Sequence, residues 1–236
     1  MKLVLLPGMN GTGQLFQDVL AELGDVDTLV VSLPQQGPQD YRTLSRHVSG
    51  LLPDDDYVIL AESFSGGIAA QFSRNTNSHL QGIIFVASFL SSPAPVLAVL
   101  AKFLPLRILL SLPFSSFMIR AFLLGRKASD DLFARFRNAI LSVSLATLRS
   151  RLSIIARTRY DGFNSTVPAV YIGAGRDVLV GRDKRQEFAA AYADIVFAEI
   201  DAPHFLLQSK PGEAAAIIRE AMHHFEKHTE AQSGKR

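Results

Sequence analysis

Residues Tyr57-Val58-Ile59-Leu60-Ala61-Glu62-Ser63-Phe64-Ser65-Gly66-Gly67 read as a buried strand driven through a tight turn into a helix. The run from Tyr57 to Leu60 is aromatic and β-branched, as a strand covered on both faces requires. Gly66, Gly67, Ala69 and Ala70 then open a helix with almost no side-chain bulk, so it can lie close against the sheet. Ser63 sits at the corner. A serine on such a turn is held in a strained conformation with its hydroxyl projecting from the sheet, the geometry of a nucleophile elbow.

The usual elbow is Gly-x-Ser-x-Gly, whereas here the small positions around Ser63 are Ala61 and Ser65. Ser65, two residues from Ser63 and from Gly67, fits the same spacing. Val58 to Glu62 already supplies a strand of common length, which favours Ser63 and puts Ser65 in the first helical turn. Both serines also suit the simpler role of capping a helix N-terminus.

A chain of 236 residues with 48% hydrophobic and 19% charged residues predicts one large α/β domain, with room for an insertion. There are no cysteines, so disulfides, thiolate metal sites and a thiol nucleophile are excluded. The apolar run Leu3 to Leu6 is too short for a secretory signal, and a cytoplasmic location is expected. Residues 101–160 carry eleven Lys and Arg against Asp130 and Asp131, a net +9 in a chain of formal charge +2 that leaves −7 for the rest. That division points either to solvated helix faces or to a surface for something anionic.

Lys2 to Leu6 forms a strand that runs into Pro7-Gly8-Met9-Asn10-Gly11-Thr12-Gly13, a loop whose backbone N–H groups can share an anion. Gln14 and Leu15 stand where a phosphate loop needs Lys and Ser or Thr, so nucleotide binding is not expected. Thr28 to Leu33 reads as a second strand, Asp40 to Leu52 as a polar helix and Gly82 to Ala87 as a fourth strand. Strands alternating with helices predict a parallel, doubly wound sheet. From about residue 89 to 160 only helices are legible, broken at Pro93, Pro95, Pro105 and Pro113, and this segment reads as a helical insertion. The sheet resumes at Val167 to Gly173 and ends with Ile195 to Ile200, before a last helix from about Gly212 to Lys227.

Three residues just beyond strand ends are chemically distinctive: Ser63, Asp177 and His204. A serine hydroxyl needs a histidine to take its proton, and the histidine needs a carboxylate to fix its tautomer. The order Ser, Asp, His and the loops that carry them resemble the α/β-hydrolase superfamily along essentially the whole chain. Leu6 to Gly13 resembles the family's oxyanion loop with Pro in place of His, and Leu33-Pro34-Gln35-Gln36-Gly37 its Leu-Pro-Gly-His-Gly turn. Gly175 to Val180 is similar to its acid loop, and Ala202 to Gln208 to its histidine loop. The resemblance implies an α/β-hydrolase fold without the first strands of larger members, a helical cap, and oxyanion donors at the Met9 and Phe64 amides. Asp183 and Asp161 are weaker choices for the acid, and His47, His79, His223, His224 and His228 for the base. Glu62 is expected to point away from the hydroxyl, where it tunes the site or holds a loop.

The implied activity is serine-dependent cleavage of an ester or thioester with no metal or organic cofactor. The expected partner is a small-molecule or lipid-like acyl substrate, with nucleic acid not expected. One rival is a thioester or methyl-ester hydrolase that docks an acidic carrier protein through Arg135, Arg137, Arg149 and Arg151. Another is a non-catalytic protein resting its cap on an anionic membrane surface or on a partner.

Overall fold

The structure, a computed structural model, describes residues 1–74, 78–94 and 113–233. Six strands, β1 (Lys2–Leu6), β2 (Thr28–Val30), β3 (Tyr57–Glu62), β4 (Leu80–Val86), β5 (Ala169–Ala174) and β6 (Ile195–Ile200), form one sheet in the order β2-β1-β3-β4-β5-β6. Every pairing is parallel. Successive side chains of a strand point to opposite faces, and here both faces are covered. Leu3, Leu5, Val58, Leu60 and Ile84 pack under α1 (Gln17–Leu23) and the last helix, while Val4, Leu6, Ile59, Ala61 and Phe85 pack under α2 (Tyr41–Ser49) and α3 (Gly66–Phe72). That two-sided burial is why the strands read as unbroken apolar runs.

Between β4 and β5 the described residues form α4 (Pro113–Ile119), a π-helical turn over Arg120–Leu124, α5 (Asp130–Leu141) and α6 (Leu145–Arg157). Ser129 and Ser144 cap α5 and α6 by accepting from the N–H groups of Leu132 and Thr147. Leu124, Leu132, Phe136 and Ala139 bury against Leu15. Pro95, Pro105 and most of the apolar first half of the expected insertion lie outside the described residues. After β5 come α7 (Lys184–Ala191), then β6, a short α8 (Leu206–Ser209) and α9 (Pro211–Ser233).

Several boundaries differ from the sequence reading. β2 stops at Val30 rather than Leu33, because the Leu33 N–H leaves the sheet to donate to the Gly11 carbonyl and Pro34 has no N–H to offer. A 3₁₀ turn over Gly13–Phe16 precedes α1. The last helix runs on to Ser233 instead of ending at Lys227.

The strand order reverses between β1 and β3: the chain steps outward from β1 to β2, then returns to the other side of β1. In an open parallel sheet the crevice at that reversal, beyond the carboxyl ends of the strands, is where ligands bind. The glycine loop after β1 and the serine after β3 both lie there. Among the described residues no single helix is long and apolar enough to cross a membrane.

Candidate active site

Ser63 leaves β3 with φ of 50°, left-handed backbone that a residue with a Cβ adopts only under strain. The helix that follows can begin at once because its first residues are small: a Cβ on Gly67 would stand 2.3 Å from the Tyr41 ring. The Ser63 Oγ lies 3.0 Å from His204 Nε2, and His204 Nδ1 lies 2.8 Å from Asp177 Oδ2. The three predicted side chains, carried on loops after β3, β5 and β6, therefore meet in one hydrogen-bonded line. The Asp177 and His204 side chains are only 4% and 6% exposed.

Asp177 is held from its other oxygen, where Oδ1 accepts the N–H groups of Leu179 and Val180 at 2.8 and 3.0 Å. A carboxylate so placed can only accept from the imidazole. The proton is thus assigned to Nδ1, leaving Nε2 free to accept from the Ser63 hydroxyl.

The remaining candidates are engaged elsewhere. Ser65 is fully buried and donates its hydroxyl to the Pro7 carbonyl, which resolves the ambiguity between the two serines in favour of Ser63 as the one facing the imidazole. Asp161 pairs with Arg74 at 2.7 Å, and Asp183 precedes α7. The His47 ring lies beside the Ser32 carbonyl and His79 beside Asp56.

The glycine loop is fixed from three directions. The Gly8 N–H donates to Glu62 Oε2 at 3.2 Å, and the Gly8 carbonyl accepts from the Gly11 N–H at 2.9 Å. The Met9 carbonyl accepts from Arg151 Nη1 at 2.7 Å. In a planar trans peptide the N–H points opposite to the C=O, so the turn that draws in the Gly8 carbonyl directs the Met9 N–H away from it. The second proposed donor, Phe64, sits in the first turn after Ser63, where helix N–H groups lack intrahelical acceptors.

Arg151 corrects the sequence reading. It was grouped with the arginines of a docking surface, yet it is completely buried. From α6 its guanidinium donates to Met9 O, to Pro34 O at 2.9 Å and to Gln39 Oε1 at 2.9 Å. Burial pulls its pKa down to about 10. Gly11, at φ +70°, leaves room for it, since a Cβ there would lie 2.3 Å from Arg151 Nη1. Arg135 is also committed, to Asp18 at 2.8 Å and Asp131 at 2.9 Å, and those partners hold its pKa up.

Glu62 sits behind the serine, 3% exposed, with Oε1 accepting from Gln208 Nε2 at 3.0 Å. It joins the glycine loop to the helix that follows His204, the geometry of the loop-holding alternative of the two expected for it. Burial raises its pKa, against the opposing pull of the Gln208 and Gly8 bonds and of His204. Because the folded value lies above the ordinary 4.5, its contribution to stability is fully present below that pH and is lost as pH rises through the folded value. We therefore expect the stability advantage of the parent over Glu62→Gln, from urea unfolding at stepped pH, to shrink from acidic towards neutral solution. A flat or rising difference would contradict this.

A cavity of about 260 Å³ opens onto Ser63 and His204. Its walls are mostly apolar, with Phe89, Ile140, Leu152, Ile155, Val180 and Phe205 prominent.

Comparison with known proteins follows the same lines. The sequence matches the alpha/beta hydrolase family over residues 3–217. A search of the curated proteins finds no match. Among solved structures the fold is similar to a hydrolase from Pseudomonas aeruginosa PA01, with TM-score 0.76 and 14% identity over 92% of this chain and 88% of that one. It is similar to a thermophilic esterase from Thermogutta terrifontis, with TM-score 0.75 and 17% identity over 95% and 90%. The enol-lactonase from Burkholderia xenovorans LB400 gives TM-score 0.76 and 16% identity over 96% and 91%. With a matching family profile along most of its length and the parallel sheet to go with it, the chain belongs to the alpha/beta hydrolase family.

Proposed function

We propose that the protein is a serine hydrolase that cleaves an ester or thioester of a neutral, apolar acyl group through an acyl-enzyme. The observation that carries this reading is the Ser63–His204–Asp177 line at the mouth of an apolar cavity. Ser63 Oγ attacks the carbonyl carbon as His204 Nε2 takes its proton, and Asp177 holds the resulting imidazolium. The carbonyl oxygen becomes an oxyanion that the Met9 and Phe64 amides receive, each such donor supplying about 3–4 kcal/mol of transition-state stabilisation. Collapse breaks the bond to the alcohol or thiol, which leaves with the proton from His204. Water then gives a proton to Nε2 and attacks the acyl carbon, and cleavage of the acyl–serine bond returns the hydroxyl.

Cavity size and lining set the acyl group. About 260 Å³ is room for about eight water-sized groups, and among the described residues the walls offer nothing positive to an anionic substrate except a protonated His204. On a p-nitrophenyl ester series, kcat/KM should peak at medium acyl length and fall for long chains, while Leu152→Trp should move the peak to shorter ones. A rate that keeps rising with chain length, or that is unmoved by the tryptophan, contradicts the pocket assignment. Running esters and acyl thioesters at two ionic strengths tests the carrier-docking alternative, which requires a steep loss with salt. Absence of turnover together with absence of fluorophosphonate labelling would favour a non-catalytic binding protein.

A further inference from the structure

At the opposite rim of the sheet, about one strand length or 20 Å from the amino ends of the strands to their carboxyl ends, a second cluster stands apart from the hydrolytic site. Asp194 immediately precedes β6, and His224 and His228 lie on α9. A carboxylate oxygen and one ring nitrogen from each histidine all lie within 4.8 Å of one another.

We propose that Asp194, His224 and His228 bind a single divalent transition-metal ion, with Zn²⁺ the favoured occupant. Histidines four residues apart share one helix face, the offset that lets a single helix offer two imidazoles to one ion. The third ligand arrives from a rigid element, since the Asp194 carbonyl accepts the Ala169 N–H at 2.9 Å and so ties the residue to the edge of β5. Two polar atoms here have no hydrogen-bond partner although buried: His224 Nε2 and Asp194 Oδ2. The latter lies 3.3 Å from His228 Nε2 without the alignment of a hydrogen bond. Donor atoms that face one another without bonding are arranged for a third atom between them. Zinc ligands at about 2.0–2.2 Å stand about 3.3–3.6 Å from each other in a tetrahedron, so small side-chain rotations close the set.

The donor chemistry selects the ion. Two imidazoles and a carboxylate suit zinc and its first-row neighbours, whereas Mg²⁺ and Ca²⁺ demand oxygen. The chain has no cysteine to offer a softer competing site. Three protein ligands leave a position for water, and the ion would fasten α9 to the β5–β6 edge.

The test is Zn²⁺ titration of the intact protein by calorimetry and thermal unfolding, with Mg²⁺ as control. One equivalent should bind, and at a hundredfold excess over the dissociation constant the Tm should rise by about 5–10 °C. His224→Gln and His228→Gln should each abolish the shift, and Asp194→Asn should weaken binding about tenfold or more, with unfolding in chelator little changed. His223→Ala, on the exposed side of the same helix, and His204→Ala, at the hydrolytic site, should keep it. No zinc shift in the parent, a shift that survives both glutamine substitutions, or one lost in His204→Ala overturns the proposal.

Discussion

Ser63→Ala should lower kcat on the best ester by about 10⁴- to 10⁶-fold and abolish covalent labelling by a fluorophosphonate probe. The loss is large because the hydroxyl that His204 Nε2 faces at 3.0 Å, and with it the acyl-enzyme route, would be gone. Ser65→Ala should keep its labelling, since that hydroxyl is spent on the Pro7 carbonyl. The backbone sharpens the test: alanine inherits the φ of 50°, whereas glycine is at ease there. Ser63→Gly should therefore be equally inactive yet more stable than the parent by about 1 kcal/mol in urea unfolding. Persistent turnover in both Ser63 variants would remove the serine mechanism.

The second large effect belongs to Arg151. Replacing it with Met should cost about 3–5 kcal/mol of stability and lower kcat about 10²-fold. The substitution strips donors from three acceptors at once, on buried Gln39 and half-buried Met9 and Pro34. It also frees the Met9 carbonyl, and with it the peptide that follows the one carrying the Met9 N–H. Lysine cannot reproduce the fork, so Arg151→Lys should recover only part of either loss. Arg126→Ala, on an exposed side chain of the same basic segment, should change stability by no more than about 0.5 kcal/mol. If the two arginines behaved alike, the clamp would be refuted.

The parallel sheet was legible because strands buried on both faces carry few polar residues, and Ile195–Ile200 was read to the residue. Ser63, Asp177 and His204 were legible for a related reason: each follows a strand end, where a lone reactive residue stands out from its neighbours. Arg151 was not, because a count of charges cannot distinguish a guanidinium in water from one capping three carbonyl-type oxygens inside the protein. The end of β2 was missed because the capture of Leu33 by Gly11 joins residues far apart in sequence. The meeting of Asp194 with His224 and His228 depends on how α9 lies across the sheet, which no local pattern encodes.

Arg151 belongs to α6 but grips the turn behind Met9. That helix therefore cannot swing as an independent door over the cavity: lifting it would drag the glycine loop out of register. Exchange of helical segments among relatives faces the same constraint. A graft spanning α6 should function only when the guanidinium travels with a matching glycine at the position of Gly11, so the two act as one module although they lie on separate stretches of chain.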